Sequence, residues 1–187
     1  MRHAQPCIAS GICYGALDMP AEQDATEKAA ASLADAVPQG LMVWVSPLQR
    51  CELLAQSLRD LRPDLTFKTD ARLSEMDFGD WEGVPWCDVP RAAMDAWMAD
   101  FGEHRFGGKE SANAVLLRVA AAWNALRVAM RATGATDAVW ITHAGVARAL
   151  GLVSQGVFNV SDAAQWPQSA PAYGQWRTFV DDGVNRP

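Results

Sequence analysis

Short apolar runs alternate along the chain with longer segments in which apolar residues recur at helical spacing. Two runs rich in β-forming residues, Leu41–Ser46 and Asp137–His143, predict strands buried on both faces. Composition and periodicity predict helices over Glu22–Val37, Ala112–Arg131 and Ala144–Gln155. Strands that alternate with helices of ten or more residues favour a layered α/β fold with a mainly parallel sheet.

Three weaker signals complete this outline. Ser46 and Pro47 predict a helix start, with Ser46 as the N-cap and Pro47 at the first helical position, and Pro63 ends that helix. The segment Gln175–Val180 predicts a last strand. No repeat and no linker-like stretch interrupts the sequence, which predicts a single domain over residues 1–187.

Charge and apolar content exclude two classes of partner. The chain has 187 residues, with 16 Lys and Arg against 22 Asp and Glu, so its net charge is −6 and no basic stripe for nucleic acid is present. The longest purely aliphatic and aromatic run, Leu41–Val45, is far shorter than the ~20 residues that span a membrane. Four cysteines without a C-x-x-C pair, and no secretion leader, predict a cytoplasmic protein with reduced thiols.

The candidate chemistry lies where predicted strands end. Active sites of layered α/β folds form at the carboxyl ends of strands, which directs attention to Ser46–Arg50 and Thr142–Gly145. The three histidines, His3, His104 and His143, are not spaced as metal ligands, and no Gly-rich nucleotide loop is present. We therefore expect neither a metal nor another cofactor. A single histidine at a strand end is more often structural than catalytic, so each segment alone is a weak signal.

Four segments in this order resemble the histidine phosphatase superfamily, which has the phosphoglycerate-mutase-like fold. They are Arg2-His3 at a strand end, Ser46-Pro47-Leu48-Gln49-Arg50 as S-P-x-x-R, residues 73–83 as L-x-E-x-x-F-G-x-W-E-G, and Thr142-His143-Ala144-Gly145. The resemblance implies a three-layer α/β/α sandwich with a mainly parallel central sheet. The stretch Gly11-Ile12-Cys13-Tyr14-Gly15, followed by Asp18, is similar to the α-ribazole phosphatase branch.

The resemblance also implies a role for each site residue. His3 would be the nucleophile that forms a phosphohistidine, because an unprotonated imidazole can attack phosphorus. Arg2 and Arg50 would neutralise the phosphate dianion, and His143 would donate to the phosphoryl oxygens. Glu75 would protonate the leaving alkoxide and then accept a proton from the attacking water.

Further expectations concern the ligand. The backbone of Ala144 and the side chain of Tyr14 are expected to contact the substrate, a small phosphorylated metabolite for which α-ribazole 5′-phosphate is the candidate. The oligomeric state stays open, a homodimer included. Competing interpretations are a phosphoglycerate-type mutase, a catalytically impaired family member that binds phosphorylated ligands, and an unrelated α/β domain. The short stretch between Gly83 and Ser111 offers little material for a lid, which favours hydrolysis over mutase chemistry.

Two departures from the family pattern stand out. Only Met1 precedes Arg2, where family members carry about half a dozen mostly apolar residues, and from this we expect an encoded protein that begins further upstream. Residues 106–111, Phe-Gly-Gly-Lys-Glu-Ser, resemble the family's G-G-E-S with Lys109 inserted. This segment begins the long helix after it, or Lys109 adds charge over the pocket.

Overall fold

A parallel sheet lies at the centre of the molecule. The computed structural model describes residues 1–180. Three strands, β1 (Met42–Val45), β2 (Thr66–Thr69) and β3 (Ala138–Ile141), pair in the order β2-β1-β3, and both pairings are parallel. Five α-helices are present in the described residues: α1 (Gln23–Ala36), α2 (Gln49–Leu61), α3 (Arg91–Ala99), α4 (Ala112–Thr133) and α5 (Ala144–Ser154).

Alternating side chains of the strands face two separate hydrophobic clusters. Val43 and Ile141 point into a cluster with the buried residues of α1 and α2. Trp44 and Trp140 point the other way, into a cluster with α4 and α5. Because successive residues of a strand point to opposite faces, both faces of the sheet are covered by helices. The predicted α/β/α sandwich is confirmed.

The first three residues extend the sheet beyond β3. Arg2 forms a parallel bridge to Thr142, and the backbone N–H of His3 donates to the carbonyl of Thr142 at 3.0 Å. On the other side, Arg2 N–H donates to the carbonyl of Gln175 at 2.9 Å. His3 and His143 consequently leave the sheet at the same edge, where parallel strands end.

Two local predictions were wrong. The helix after β1 begins at Gln49 with Leu48 as its N-cap. The Ser46 hydroxyl accepts the backbone N–H of Leu48 at 3.3 Å and lies 2.8 Å from Nε2 of His143, so it precedes the helix and joins it to the histidine. Gln175–Val180 forms no strand. The carbonyl of Gln175 accepts the backbone N–H of Arg2, but a β-ladder needs a series of such backbone pairs, and one is not enough. Two elements, β2 and α3, were not predicted, because β2 is short and mostly exposed and α3 buries none of its residues fully.

Other sequence expectations can be compared directly with the structure. All four cysteines are free thiols. No helix within residues 1–180 is both long enough and apolar enough to cross a membrane. Ser111 is the N-cap of α4 and accepts from the N–H of Ala114 at 3.2 Å, so the segment with Lys109 does lead into the long helix.

Candidate active site

Two histidines and an arginine meet where the central strands end. His3 follows the short paired segment beside β3, His143 follows β3 itself, and Arg50 lies in the first turn of α2. The ring centroids of His3 and His143 are 5.1 Å apart. The side chains are almost completely removed from water, with 2% of His3 and 0% of Arg50 and His143 exposed. Residues that are 140 positions apart in the chain thus form one compact cluster.

The backbone of Ala4 determines which nitrogen of His3 carries the proton. Nδ1 of His3 lies 2.7 Å from the carbonyl oxygen of Ala4, and a carbonyl can only accept, so Nδ1 is the donor and Nε2 holds a lone pair. Burial lowers the pKa of His3 to about 3, against the hydrogen bond to Ala4, and the charges of Arg50 and Arg2 lower it too. His3 is therefore a neutral imidazole with an unprotonated Nε2 at physiological pH.

His143 has the opposite tautomer. The Nε–H of Arg50 donates to Nδ1 of His143 at 3.2 Å, so the ring proton lies on Nε2, which is 2.8 Å from the Ser46 hydroxyl and 3.5 Å from the Cys51 thiol. Burial and the charges of Arg50 and His3 hold the pKa of His143 well below its usual value. Its Nε2–H must turn away from Ser46 before it can donate to a substrate, so the predicted donor role stays a prediction.

Arg50 connects His143 to a neighbouring loop. Its Nη1 donates to the carbonyl of Leu17 at 2.8 Å and lies 3.6 Å from the sulfur of Met19, and its Nη2 donates to the carbonyl of Gly15 at 2.5 Å. With the bond to His143, four of the five guanidinium N–H groups have partners. One N–H remains for a phosphate oxygen while the loop keeps this position.

Glu82 holds that loop in place. Its carboxylate accepts backbone N–H groups of all three loop residues, 15–17, at 2.8 to 3.0 Å, and that of Phe78 at 2.9 Å. Charge-assisted bonds of this kind are stronger than neutral ones, and four converge on one carboxylate. Glu82 thus joins the loop after Tyr14 to the turn at residues 78–82, and it indirectly positions Arg50.

Two tyrosines cover the other side of the cluster. The hydroxyl groups of Tyr14 and Tyr173 are 2.6 Å apart, and the ring centroid of Tyr173 is 5.6 Å from that of His3. The guanidinium of Arg2 lies 3.8 Å above the Tyr173 ring, and its Nη1 donates to the carbonyl of Pro171 at 3.1 Å. The Nε of Arg2 is buried without a partner. Burial and the bond to Tyr173 raise the pKa of Tyr14 to about 12.

Glu75 lies beside the turn that carries His143. Its Oε2 accepts the backbone N–H of Gly145 at 2.9 Å, and its Oε1 accepts that of Met76 at 3.1 Å. Ala144 is the first residue of α5 and directly follows His143, where a helix start presents unpaired backbone N–H groups. The side chain of Glu75 and the backbone of Ala144 are therefore close to the same strand end.

An open cavity of about 440 Å³ borders Glu75. We call it the Glu75 cavity, and its lining residues are Ala16, Ser74, Glu75, Asp77, Arg105, Lys109, Glu110, Ala114 and Arg118. It adjoins the cluster at two points. Ala16 follows Gly15, which holds Arg50, and Glu75 binds Gly145, two residues after His143.

Comparison with known proteins identifies the family of this arrangement. The model of the histidine phosphatase superfamily (branch 1) matches residues 1–161. The chain belongs to this superfamily. The expectation from the sequence segments is confirmed. A comparison with curated proteins finds no match.

Several solved structures of superfamily members are similar to this chain. A mycobacterial glucosyl-3-phosphoglycerate phosphatase is 25% identical, with 87% of this chain and 84% of that chain covered and a TM-score of 0.69. The structure of the same enzyme with VO3 is 24% identical and has a TM-score of 0.77, and the match covers 92% of this chain and 85% of that chain. The α-ribazole phosphatase of Shigella flexneri is 23% identical with a TM-score of 0.68, and the match covers 87% of this chain and 84% of that chain.

The superfamily motif predicts most residues of the site but not Tyr173. The structure brings together Arg2, His3, Arg50 and His143, and Tyr14 and Glu75 lie beside them. Tyr173 had no signal in the sequence, because its position depends on Gly174 N–H donating to the carbonyl of His3 at 3.0 Å. Within residues 1–180, no three His, Cys, Asp or Glu side chains are grouped to hold a metal ion.

Proposed function

We propose that this protein is a cofactor-independent phosphatase that hydrolyses a small phosphomonoester through a phosphohistidine on His3. The observation that carries the proposal is the unprotonated Nε2 of a neutral His3, 5.1 Å between ring centroids from His143 and beside two arginines. A phosphate dianion repels nucleophiles, so it needs local positive charge before attack. The protein carries net charge −6, yet at this strand end the charged side chains that lower the pKa of His3 are Arg50 and Arg2.

The first half of the reaction transfers the phosphoryl group to the protein. Nε2 of His3 attacks phosphorus in line with the ester oxygen, a P–N bond forms and the P–O ester bond breaks. Glu75 donates its proton to the leaving oxygen, so the alcohol departs neutral. The Ala4 carbonyl, which accepts from Nδ1–H, stabilises the positive ring that the transfer creates.

The second half returns the protein to its starting state. Glu75, now a carboxylate, accepts a proton from water as the water oxygen attacks phosphorus. The P–N bond breaks, inorganic phosphate leaves, and His3 regains the lone pair on Nε2. One carboxyl group thus serves both halves, and the bond from Gly145 N–H orients it towards the strand end.

The candidate substrates come from the resemblance and from the similar structures. The segment from Gly11 to Gly15 favours α-ribazole 5′-phosphate, and a structurally similar mycobacterial protein is a glucosyl-3-phosphoglycerate phosphatase. Both compounds are phosphomonoesters of a small alcohol. A panel of phosphomonoesters, assayed with and without chelator, tests the proposed reaction class, and we expect activity to survive chelation.

The decisive experiment traps the intermediate. The full chain is mixed with a ³²P-labelled phosphomonoester and quenched within milliseconds in base, where phosphohistidine is stable. We expect labelled protein that loses its label in acid, and no label in His3→Ala. His104→Ala removes the histidine outside the cluster and serves as the matched control, which should label fully. Label that persists in His3→Ala contradicts the proposal. Exchange with a bisphosphorylated sugar acid without phosphate release indicates a mutase instead.

A further inference from the structure

Two loops from opposite ends of the chain each hold one arginine of the site. Residues 15–17 accept from Arg50 through two of their carbonyls, at 2.5 and 2.8 Å. Residues 171–175 accept from Nη1 of Arg2 through one carbonyl, at 3.1 Å. Among residues 1–180, no carboxylate lies within 4.0 Å of either guanidinium. Because backbone carbonyls carry no net charge, both arginines keep a positive charge that can meet a phosphate dianion.

The ring of Tyr173 contacts both Arg2 and His3. The guanidinium carbon of Arg2 lies 3.8 Å from the centroid of this ring, and the ring centroids of Tyr173 and His3 are 5.6 Å apart. The next residue fixes the ring in this place, because the N–H of Gly174 donates to the carbonyl of His3 at 3.0 Å with a φ of 67° that favours glycine. A cation within about 6 Å of a phenol face is attracted to the ring. Tyr173 therefore supports Arg2 from below while it covers His3.

The hydroxyl groups of Tyr14 and Tyr173 join the two loops. They lie 2.6 Å apart, and within residues 1–180 neither hydroxyl has another hydrogen-bond partner. Tyr14 directly precedes the first loop, and its ring centroid is 5.7 Å from the guanidinium carbon of Arg50. Each tyrosine ring thus faces one arginine, Tyr14 facing Arg50 and Tyr173 facing Arg2. Burial and the bond to Tyr173 raise the pKa of Tyr14 to about 12, so its hydroxyl keeps its proton at physiological pH.

Two arginines that bind one phosphoryl group must keep a fixed separation. A hydrogen bond to oxygen weakens within a few tenths of an ångström of its best length, so a small shift of either guanidinium loses contact with the phosphate. Of the five side-chain N–H groups of Arg2, one has a hydrogen-bond partner within residues 1–180, so hydrogen bonds alone hold this arginine weakly. The bond between the tyrosine hydroxyls connects the two loops and opposes their independent movement.

We propose that Tyr173 is a positioning residue for phosphoryl transfer, and that its bond to Tyr14 sets the separation of Arg2 and Arg50. The ring of Tyr173 holds Arg2 beside His3, and the hydroxyl bond transmits this position to the loop that holds Arg50. The inference rests on the proposed function, because it assigns both arginines to one phosphoryl group.

A double-variant cycle tests whether the two hydroxyls act as one unit. Tyr14→Phe and Tyr173→Phe each remove one hydroxyl and keep the ring. Because either change breaks the same bond, both single variants and the double variant should bind inorganic phosphate about fivefold more weakly than the unmodified chain, as measured by calorimetry. The value of kcat/KM for p-nitrophenyl phosphate should fall by a similar factor in all three.

Two results of this cycle would overturn the inference. Losses that multiply in the double variant would show that the hydroxyls act independently. A loss in Tyr14→Phe without one in Tyr173→Phe would show that Tyr14 contacts the phosphate directly and that the bond between the tyrosines positions nothing.

The ring of Tyr173 is tested separately from its hydroxyl. Tyr173→Leu removes the support of Arg2, so phosphate should bind about tenfold more weakly than it does to Tyr173→Phe. The phenylalanine substitution then restores most of the affinity, which is compared at a temperature where circular dichroism shows both variants to be folded. Equal affinities of the two variants contradict the role of the ring. If Tyr173→Leu does not fold, the hydroxyl cycle decides alone.

Two control variants lie outside the site. Thr133→Val removes a hydroxyl that bonds two carbonyls in the last turn of α4, which leads into the start of β3 at the opposite end of the sheet. Trp176→Leu removes an exposed aromatic ring three residues after Tyr173. Phosphate affinity and kcat/KM should stay within twofold in both.

The phosphate measurement separates this inference from the proposed function, because binding of inorganic phosphate needs no phosphohistidine. An equal loss of affinity in Tyr14→Phe, Tyr173→Phe and the double variant supports the inference even if His3 is not labelled. Label on His3 together with unchanged phosphate affinity in these variants contradicts the inference and leaves the proposed function standing. Absence of phosphate binding by the unmodified chain contradicts both.

Discussion

The buried cluster of His3, Arg50 and His143 and the open Glu75 cavity adjoin each other but are built differently. In the cluster the three side chains are at most 2% exposed, and most of their polar atoms bind one another, the Ser46 hydroxyl or the backbone. In the cavity wall, the exposed cations Arg105 and Lys109 lie on a loop between α3 and α4. The cluster is fixed by the ends of strands, whereas the cavity depends on loops that can change without disturbing the core.

This difference suggests that the cluster and the cavity have separate roles in the proposed reaction. The desolvated cluster supplies a chemistry that any phosphomonoester would use, because it acts on the phosphoryl group. We expect the cavity, where water still screens charges, to be the region that discriminates between leaving groups. Substitutions in the cluster should therefore affect all substrates and also stability, and substitutions in the cavity should affect substrates selectively.

Glu75 lies between the two regions, and the substitution Glu75→Gln should cause the largest loss of hydrolysis rate. Glutamine keeps an acceptor for Gly145 N–H but has no proton to give, so hydrolysis of an alkyl phosphate should fall about 10³-fold. p-Nitrophenyl phosphate has a leaving group that needs little protonation, and its hydrolysis should fall no more than about tenfold at the transfer step. Single-turnover release of nitrophenol or alcohol measures both.

Glu52→Gln is the control for Glu75→Gln. It neutralises an exposed carboxylate on α2, and rates should stay within twofold. Equal losses for alkyl and nitrophenyl substrates in Glu75→Gln would show that Glu75 is a structural residue and not an acid.

Arg50→Lys tests the interior of the cluster. A lysine has three N–H groups at one point and cannot reach His143, Gly15 and Leu17 at once, so kcat/KM should fall about 100-fold for every substrate tested. Arg59→Lys makes the same change on the exposed face of the same helix and should cost less than twofold. A loss confined to one class of leaving group would show that Arg50 recognises the leaving group and does not act on the phosphoryl group.

Glu82→Gln tests whether the loop is a part of the cluster. An amide replaces a carboxylate that accepts four backbone N–H groups, so the free energy of unfolding in urea should fall by about 2 kcal/mol. Because the loop carbonyls hold Arg50, kcat should fall about tenfold as well. Glu27→Gln, at an exposed position of α1, is the control for charge. Lower stability with unchanged kcat would show that the loop does not position Arg50 for the reaction.

The dependence of stability on pH should show the smallest effect. In the folded protein the pKa of His3 is lowered to about 3, and in the unfolded chain it lies near ~6.5. The unfolded state then binds more protons below pH 6.5, so stability falls as pH falls from 7 to 5.5, by about 1 kcal/mol for His3. His3→Asn should remove this part of the slope in urea titrations. Equal slopes in the two proteins would contradict a desolvated, neutral His3.

The sequence alone was sufficient to predict secondary-structure elements where the local pattern and the tertiary environment agree. The apolar runs at β1 and β3 are strands because helices cover both of their faces, and the long periodic segment is α4 within two residues at its end. It failed for β2 and α3, because elements that are mostly exposed carry no buried stripe to recognise. It also misassigned Ser46 as the helix N-cap: the N-cap is Leu48, and the Ser46 hydroxyl accepts the N–H of Leu48 and also binds a histidine 97 residues away.

The amino-acid sequence by itself determined the layered fold, the family and the reactive residue types, because propensity, burial pattern and motif order are all written along the chain. Only the tertiary structure decided which nitrogen of each histidine is protonated, that Glu82 holds the loop around Arg50, and that Tyr173 covers His3. These features depend on hydrogen bonds and desolvation between distant segments, and such distances exist only after the chain has folded.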